Sequence, residues 1–216
     1  MDSLCRRLAA ELTGRRIEIE NEAEYLNSAV LVPIIRRGNE LHVLFEVRSA
    51  SLNRQPGEIC FPGGRIEAGE TAGAAAVRET AEEIGIPADK ITLLGPLNYV
   101  VSPIGVILHP FAGCLADDVI FHPNPREVAE LFTVPLSWLM THEPQEGHME
   151  VATRPLPGFP LNLLPPGYPA DWKQRKSYPV LFYQYDKYVI WGLTARILGT
   201  FVKVLRGANG TGEGKC

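Results

Sequence analysis

The sequence is poor in the features that would mark a secreted, zinc-binding or nucleic-acid-binding protein. Its 216 residues include only four cysteines, at Cys5, Cys60, Cys114 and Cys216, and none belongs to a C-x-x-C pair. Widely separated cysteines favour neither a disulfide framework nor a zinc site, so we expect a reducing compartment, the cytoplasm. The formal net charge is only −4, which provides no basic footprint for nucleic acid.

Long apolar segments are also missing. No run approaches the roughly 20 residues that a helix needs to cross a bilayer, and the N-terminal segment has no signal-peptide core, while Asp2 and Glu11 argue against a transit peptide. We therefore expect a soluble protein that does not bind membranes. Leu4, Leu8 and Leu12 recur at helical spacing, which predicts an amphipathic helix that packs on the domain or on a second subunit of a homodimer.

With 45% hydrophobic residues, the chain is long enough to bury one well-packed domain. We expect a helical extension over 1–27, a single domain over 28–205 and a flexible tail over 206–216. A proline-rich insertion at about 143–176 has no helix or strand periodicity, and a long loop of this kind is often a functional lid. It is expected either to shape the mouth of the site or to form a surface loop or dimer contact.

Apolar and β-branched segments predict the strands of this domain. The segments 28–35 and 40–47 flank a short turn around Gly38, which is typical of a hairpin. Further strands are predicted at 58–61, 90–101, 105–115, 178–185 and 187–191, a strand and short helix within 124–139, and a closing helix at 192–205.

One segment predicts a helix that carries an unusual acidic face. Thr71 suits an N-cap, and Gly85 and Pro87 supply stop signals, so the helix is expected over 72–84. Its predicted apolar face consists of Ala74, Val77, Ala81 and Ile84.

The opposite face of this helix carries Glu79, Glu82 and Glu83 at i, i+3, i+4 spacing. Like charges about 6 Å apart repel by roughly 3 kcal/mol at an effective dielectric near 20, and anions in a last turn oppose the helix dipole. A divalent cation such as Mg²⁺ or Mn²⁺ would relieve both penalties, because carboxylates are hard oxygen ligands. The alternative is a solvated acidic face with Arg78 and Glu82 as an ion pair.

The spacing of this segment resembles the signature of the Nudix hydrolases. The matching positions are Gly64, Glu70, Arg78, Glu79, Glu82, Glu83, Gly85 and Ile86, and the exception is Thr80, where the family prefers an aliphatic residue. The resemblance implies an α/β fold, an α/β/α sandwich with a mixed, partly barrel-like sheet. It also implies that Glu79, Glu82 and Glu83 bind Mg²⁺ or Mn²⁺, that the Gly64 carbonyl adds a ligand, and that Glu70 pairs with Arg78.

A second segment, LFEVRSASLNRQPGEICFPGG, resembles the extra motif of the coenzyme A pyrophosphatase branch of this family. It departs from that motif at Phe45, Glu46, Asn53 and Gln55. The expected substrate-binding residues in this segment are Arg48, Ser49, Arg54, Gly57 and Phe61. Its arginines offer bidentate donors to phosphates, although they could also be solvated loop residues. The run Ile190-Trp191-Gly192-Leu193-Thr194-Ala195 also resembles this branch.

The resemblance implies metal-assisted hydrolysis of coenzyme A, a small nucleotide substrate, into 3′,5′-ADP and 4′-phosphopantetheine. The expected catalytic residues are Glu82, Glu79 and Glu127, of which Glu82 could orient or deprotonate water. Glu127 could instead cap a helix or form a salt bridge. Two other functions stay open: a Nudix enzyme acting on ADP-ribose, NADH or another nucleoside diphosphate derivative, and a non-catalytic nucleotide sensor.

Overall fold

The structure is a computed structural model that describes residues 3–15, 19–103 and 105–210. The helices are α1 (Ser3–Leu12), α2 (Ala72–Ile84), α3 (Leu136–Thr141) and α4 (Gly192–Gly210). The strands are β1 (Leu26–Arg37), β2 (Glu40–Arg48), β3 (Ile59–Cys60), β4 (Gly63–Arg65), β5 (Ile91–Pro96), β6 (Val100–Ser102), β7 (Val106–Leu115), β8 (Val128–Pro135), β9 (Gln145–Thr153), β10 (Lys173–Tyr185) and β11 (Tyr188–Trp191).

The main sheet is mixed and open. Its central order is β3-β2-β1-β7-β5, and β4, β6 and β8 pair with β1, β7 and β2 respectively. β1 runs parallel to β7, whereas its pairings with β2 and β4 are antiparallel. A separate sheet has the order β11-β10-β9. Because β3 and β5 end the central order without pairing to each other, the sheet does not close into a barrel.

Successive residues of the central strands face opposite sides of the sheet, as the two-residue period of a strand requires. On one side, Leu31 and Leu44 pack with Ile84 of α2. On the other side, Val32, Val43 and Phe45 belong to the core that includes Ile197, Leu198 and Phe201 of α4. The predicted α/β/α sandwich with a mixed sheet is therefore confirmed.

Several local predictions are also confirmed. β1 and β2 form the hairpin around Gly38, and α2 has the predicted bounds between Thr71 and Gly85. β8 leads into α3 after Pro135. The predicted strand at 90–101 is divided into β5 and β6, which both pair with β7. The closing helix continues to Gly210, so the predicted boundary of the tail at 206 is too early.

The prediction of a structureless insertion at 143–176 is wrong at its two ends, where strands occupy 145–153 and 173–176. β9 and most of β10 form an antiparallel ribbon, in which Lys173 pairs with Thr153, Lys176 with Val151 and Phe182 with Gln145. Only residues 154–172 lie between these strands. None of the β9 residues is buried, so neither face needs the apolar alternation that would have revealed a strand.

The N-terminal segment forms the predicted helix, but this helix does not pack on the domain. None of the residues of α1 is buried, and Leu4, Leu8 and Leu12 are 51%, 49% and 60% exposed. Packing on a second subunit stays a prediction. Across the described ranges, no helix is long and apolar enough to cross a membrane.

Candidate active site

Hydrogen bonds fix both ends of α2. At the start, the Thr71 hydroxyl accepts from the Ala74 amide at 3.2 Å. At the end, Gly85 has a φ of 67°, and a Cβ there would lie 1.9 Å from the His122 carbonyl oxygen. The Asn124 amide donates to the Glu83 carbonyl at 2.9 Å. The last turn, which carries the glutamates, is therefore held against the loop that precedes β8.

The buried face of α2 matches the predicted one at three of four positions: Ile84 is buried, and Val77 and Ala81 pack against the same cluster. Its buried residues are Ala75, Ala76, Thr80, Glu83 and Ile84. Ala74 is exposed, because the helix presents Ala75 and Ala76 to the sheet instead. Thr80 fits this interior because its hydroxyl donates to the Ala76 carbonyl at 2.6 Å, so the polar atom is satisfied where the family prefers an aliphatic residue.

Arg78 connects the helix to the loop before it. Its Nε donates to Glu70 Oε1 at 2.9 Å and its Nη2 to Glu70 Oε2 at 3.0 Å. This fork geometry holds the pKa of Glu70 below its usual value and raises that of Arg78. Nη2 also donates to the Arg65 carbonyl at 3.2 Å. The structure therefore brings together the two residues expected to brace loop against helix.

Arg78 also contacts two of the three expected metal ligands. Its Nη1 donates to Glu79 Oε1 at 2.8 Å and lies 3.5 Å from Glu82 Oε2. The Glu79 carboxylate lies directly over Gly64, where a Cβ would be 2.4 Å from Glu79 Oε2. The Glu82 side chain is 61% exposed, so water reaches it freely. A cation would have to compete with Arg78 for Glu79 and Glu82.

Glu83, the third expected ligand, is only 6% exposed. Its Oε2 accepts from the Gly63 amide at 2.7 Å. Burial, followed by the charges of Glu46, Glu127 and Glu79, raises the pKa of Glu83 to about 9, against the lowering effect of the Gly63 hydrogen bond. The charges of three other carboxylates therefore act on the buried Glu83 carboxylate.

Glu46 is a further carboxylate whose charge acts on Glu83, and it was not among the sequence-predicted site residues. It is 1% exposed, and desolvation raises its pKa to about 7 although Cys60 and Arg48 oppose that shift. The signal that could have identified it is its position inside an apolar strand, because a buried, perturbed glutamate often belongs to a functional site.

Glu127 belongs to the same group through the loop after Asn124. Its amide donates to the Asn124 carbonyl at 3.0 Å, and its carbonyl accepts from the Ser49 amide at 2.7 Å. Its charge raises the pKa of both Glu83 and Glu46. The charge of Glu127 therefore acts on the acidic group, and its role as an outer metal ligand or proton acceptor stays a prediction.

The carboxylates suit a divalent cation by their chemistry, although their side chains do not form a closed ligand shell. Within residues 3–15, 19–103 and 105–210, no three His, Cys, Asp or Glu side chains stand in an arrangement that could hold a metal ion. The donors around Glu83 are hard oxygens of like charge, and Glu46 Oε2 is buried without a hydrogen-bond partner in these ranges. Such a set fits Mg²⁺ or Mn²⁺ better than a softer metal.

A cavity of about 780 Å³ adjoins the acidic group, between the segment before α2 and the first turns of α4. Gly63 and Gly64 line it, and these same glycines contact Glu83 and Glu79. The cavity lining also includes Arg48, Arg54, Arg65, Phe61, Leu193 and Thr194. A second cavity of about 390 Å³, lined by residues such as Trp138 and Phe182, shares none of this lining.

The predicted substrate-binding residues fall into two groups. Arg48, Arg54 and Phe61 line the large cavity, whereas Ser49 and Gly57 are not among its lining residues. Nε and Nη2 of Arg48 each donate to the Arg54 carbonyl at 3.4 Å, and the Gly57 amide donates to the Arg48 carbonyl at 3.1 Å. Ser49 and Gly57 therefore shape the loop that presents the arginines.

The C-terminal run also reaches the cavity. The Thr194 hydroxyl donates to the Ile59 carbonyl at 3.1 Å, which ties the start of α4 to β3. Thr194 lines the cavity together with the apolar residues Leu193 and Ile197 of the same helix. Sequence reasoning placed these residues on the closing helix but did not predict that they line the site, because that depends on the pairing of distant segments. No residue of the insertion at 143–176 is among the residues that line this cavity in the described part of the chain.

The buried glutamates predict a pH-dependent stability for the metal-free protein. Their pKa values, about 7 for Glu46 and about 9 for Glu83, lie above the ordinary value of 4.5, so the folded state keeps protons that the unfolded state releases. This stabilisation is complete below about pH 4.5 and is lost as the pH rises through 7 and 9. With a chelator present, the melting temperature should fall between pH 6 and 9.

Two further measurements of the melting temperature, with Mg²⁺ and with a Glu83 variant, check this prediction. Adding Mg²⁺ should raise the melting temperature more at pH 9 than at pH 6, because the cation neutralises the ionised pair. Glu83→Gln should flatten the pH dependence, since this variant cannot lose the proton at that position. An equally steep fall in Glu83→Gln would contradict the assignment of the effect to this residue.

Comparison with known proteins identifies similar sequences. Residues 25–154 match the family described as the NUDIX domain. The chain is 35% identical over 130 residues to the peroxisomal coenzyme A diphosphatase NUDT7 of Mus musculus, with coverage of 58% of this chain and 55% of that protein. The alignment thus spans about half of that relative.

The similarity to two further proteins covers different shares of the chain. Identity is 33% over 173 residues to the uncharacterized Nudix hydrolase NudL of Photorhabdus laumondii, with coverage of 80% of this chain and 81% of that protein. The solved structure of RenU, a Nudix hydrolase from M. smegmatis, matches with a TM-score of 0.45 at 28% identity, and covers 53% of this chain and 72% of that one.

Proposed function

Because the chain belongs to the Nudix hydrolase family, we propose that it hydrolyses the diphosphate bond of coenzyme A or its derivatives with Mg²⁺ or Mn²⁺. The products are 3′,5′-ADP and 4′-phosphopantetheine or its acylated form. The observation that carries this proposal is the contact of Glu79 and Glu83 with the two glycines that line an arginine-containing cavity. The similarity to a coenzyme A diphosphatase supports the choice of substrate.

Each part of the site has a defined task in this reaction. Glu79, Glu82 and Glu83, with the Gly64 carbonyl, would hold the cation, which polarises phosphate oxygens and lowers the pKa of water when bound. Arg48 and Arg54 donate to the phosphates from the cavity lining. The Glu70 carboxylate keeps Arg78 in place, and through it the positions of Glu79 and Glu82.

Glu82 is the residue that we assign to the attacking water. Among the three glutamates expected to bind the cation, Glu82 has the most exposed side chain. The exposed fraction is 61% for Glu82 and 20% for Glu79, while Glu83 is buried. An exposed carboxylate close to the cation site can orient water and accept its proton. Glu127 supports the same site from the loop before β8.

A product assay tests the substrate. Purified protein with Mg²⁺ or Mn²⁺ should convert coenzyme A into 3′,5′-ADP and 4′-phosphopantetheine, identified by chromatography and mass spectrometry. Glu82→Gln should lower the rate by about a hundredfold or more, because the group that accepts the proton of water is lost.

ADP-ribose and NADH serve as competing substrates in this assay. Much faster turnover of ADP-ribose than of coenzyme A would overturn the choice of substrate but leave the hydrolase in place. Tight binding of these diphosphates without cleavage under either metal would instead indicate a nucleotide sensor. A cytoplasmic location and the absence of nucleic-acid and membrane partners complete the proposal.

A further inference from the structure

Glu46 stands out as a buried carboxylate in the middle of an apolar strand. It is 1% exposed and lies in β2 between Phe45 and Val47, whose side chains point to the opposite side of the sheet. One of its oxygens, Oε2, is buried and has no hydrogen-bond partner in the described part of the chain. Burying an ionisable group without a partner is costly, so this oxygen requires an explanation.

The other oxygen of Glu46 fixes the orientation of the side chain. Oε1 accepts from the Cys60 thiol at 3.0 Å, and Glu46 and Cys60 are paired residues in the β2–β3 register. Cys60 lines the large cavity, as do Gly63 and Gly64 a few residues further on. Glu46 therefore lies behind the same segment whose glycines contact Glu83 and Glu79.

The surroundings of Glu46 are mainly anionic. The charge of Glu46 acts on Glu83, and that of Glu127 acts on both. Arg48 is the cationic group that favours the ionised form of Glu46, but its guanidinium donates to the Arg54 carbonyl. A cation bound by Glu83 would supply the missing positive charge, and in return each nearby carboxylate would strengthen the binding of that cation.

We propose that Glu46 is a positioning residue of the metal centre, which increases the affinity of the Glu79 and Glu83 site for a divalent cation through its buried negative charge. It does so without touching the substrate. The proposal rests on the metal centre of the proposed function. It concerns a position at which this chain departs from the motif of the coenzyme A branch, so it is a property of this sequence rather than of that motif.

A purely structural role makes a different prediction. If Glu46 served only to accept the Cys60 hydrogen bond, glutamine would replace it without effect on metal binding, because its amide oxygen is also an acceptor. Glu46→Gln keeps the shape and one acceptor but removes the charge. It is therefore the variant that separates charge from packing.

The experiment measures Mn²⁺ binding to the substrate-free protein at pH 8 by calorimetry and by electron paramagnetic resonance. Glu46→Gln should weaken Mn²⁺ binding by about tenfold, the lower end of what the loss of an outer partner costs a metal site. The metal-free variant should be at least as stable as the original protein, since a buried like charge has been removed. Glu40→Gln, a change of the same kind at the start of β2, where the glutamate side chain is 43% exposed, should leave Mn²⁺ affinity unchanged.

Glu46→Asp tests the role of charge again, because it keeps the carboxylate but shortens the side chain. It should retain more Mn²⁺ affinity than Glu46→Gln. Equal affinities of Glu46→Gln and the original protein would overturn this inference alone, as would equal losses in both variants. Absence of Mn²⁺ binding by the original protein would instead contradict the metal centre of the proposed function.

Discussion

Replacing Glu83 by glutamine should lower kcat for diphosphate hydrolysis by about a thousandfold. Glu83 is the buried member of the acidic group, with Oε2 at 2.7 Å from the Gly63 amide nitrogen. The amide of glutamine is neutral, so it cannot provide the negative charge that the divalent cation needs. Every later interaction of that cation with the diphosphate is weakened in consequence.

The same substitution should not destabilise the metal-free protein. Because the pKa of Glu83 is raised to about 9, this residue is protonated at neutral pH when no cation is present, and glutamine resembles its protonated form. Its amide oxygen can still accept from Gly63. The loss of activity should therefore occur at an unchanged or higher melting temperature.

Steady-state kinetics with Mg²⁺ and thermal unfolding in a chelator measure these two effects. Glu67→Gln is the matched control, since it removes a carboxylate from the exposed loop before α2 and should leave kcat within about twofold. Retention of activity by Glu83→Gln would contradict its role as a ligand. A loss of activity accompanied by unfolding would show that Glu83 serves the fold instead.

Gly63→Ala should produce the largest loss of stability, about 3 kcal/mol. A Cβ at this position would lie 2.3 Å from the Ala29 carbonyl oxygen and 2.6 Å from the Val30 Cα. These atoms belong to the backbone of a central strand and cannot move aside as a flexible side chain can. Alanine would therefore force β4 away from β1 and displace the amide that donates to Glu83.

Denaturant unfolding measures this loss, which should lower the melting temperature by about 10 °C in a chain of this size. Gly69→Ala is the matched control. Gly69 has a φ of 82°, but nothing lies within 4 Å of an added Cβ, so the cost is backbone strain of about 1 kcal/mol. Equal losses in the two variants would contradict the close packing of β4 on β1.

Patterns within short stretches of the sequence correctly predicted helix α2 and the hairpin of β1 and β2. The bounds of α2 follow from Thr71 and Gly85, whose capping roles depend on neighbouring residues alone. The hairpin around Gly38 depends on a turn and two apolar segments. The contacts of Arg78 with Glu70 could also be expected, because a long motif places both residues.

Contacts between distant segments could not be predicted in the same way. Glu46 is buried against Cys60 because β2 lies beside β3, and this pairing is a property of the sheet. Leu193 and Thr194 line the cavity because α4 starts next to β3. In the apolar face of α2, Val77, Ala81 and Ile84 pack as predicted, but Ala75 and Ala76 are buried in place of Ala74, since alanines have the same propensity and only the sheet decides between them.

The ribbon of β9 and β10 was missed for a different reason. Its residues are exposed on both faces over most of β9, so no core imposes alternation of apolar and polar side chains. The prolines of the insertion lie between 155 and 169, but they led us to predict a loop over the whole of 143–176. The backbone pairing from Gln145 to Thr153 is invisible to a reading of hydrophobic periodicity.

The central claim is that the glutamates at the end of α2 hold a divalent cation beside the cavity. The most direct measurement is anomalous scattering from crystals soaked in Mn²⁺. The account predicts an anomalous peak within bonding distance of the carboxylates of Glu79 and Glu83, with Glu79 released from Arg78. A protein that cleaves coenzyme A at full rate, yet shows no such peak or binds Mn²⁺ only elsewhere, would contradict it.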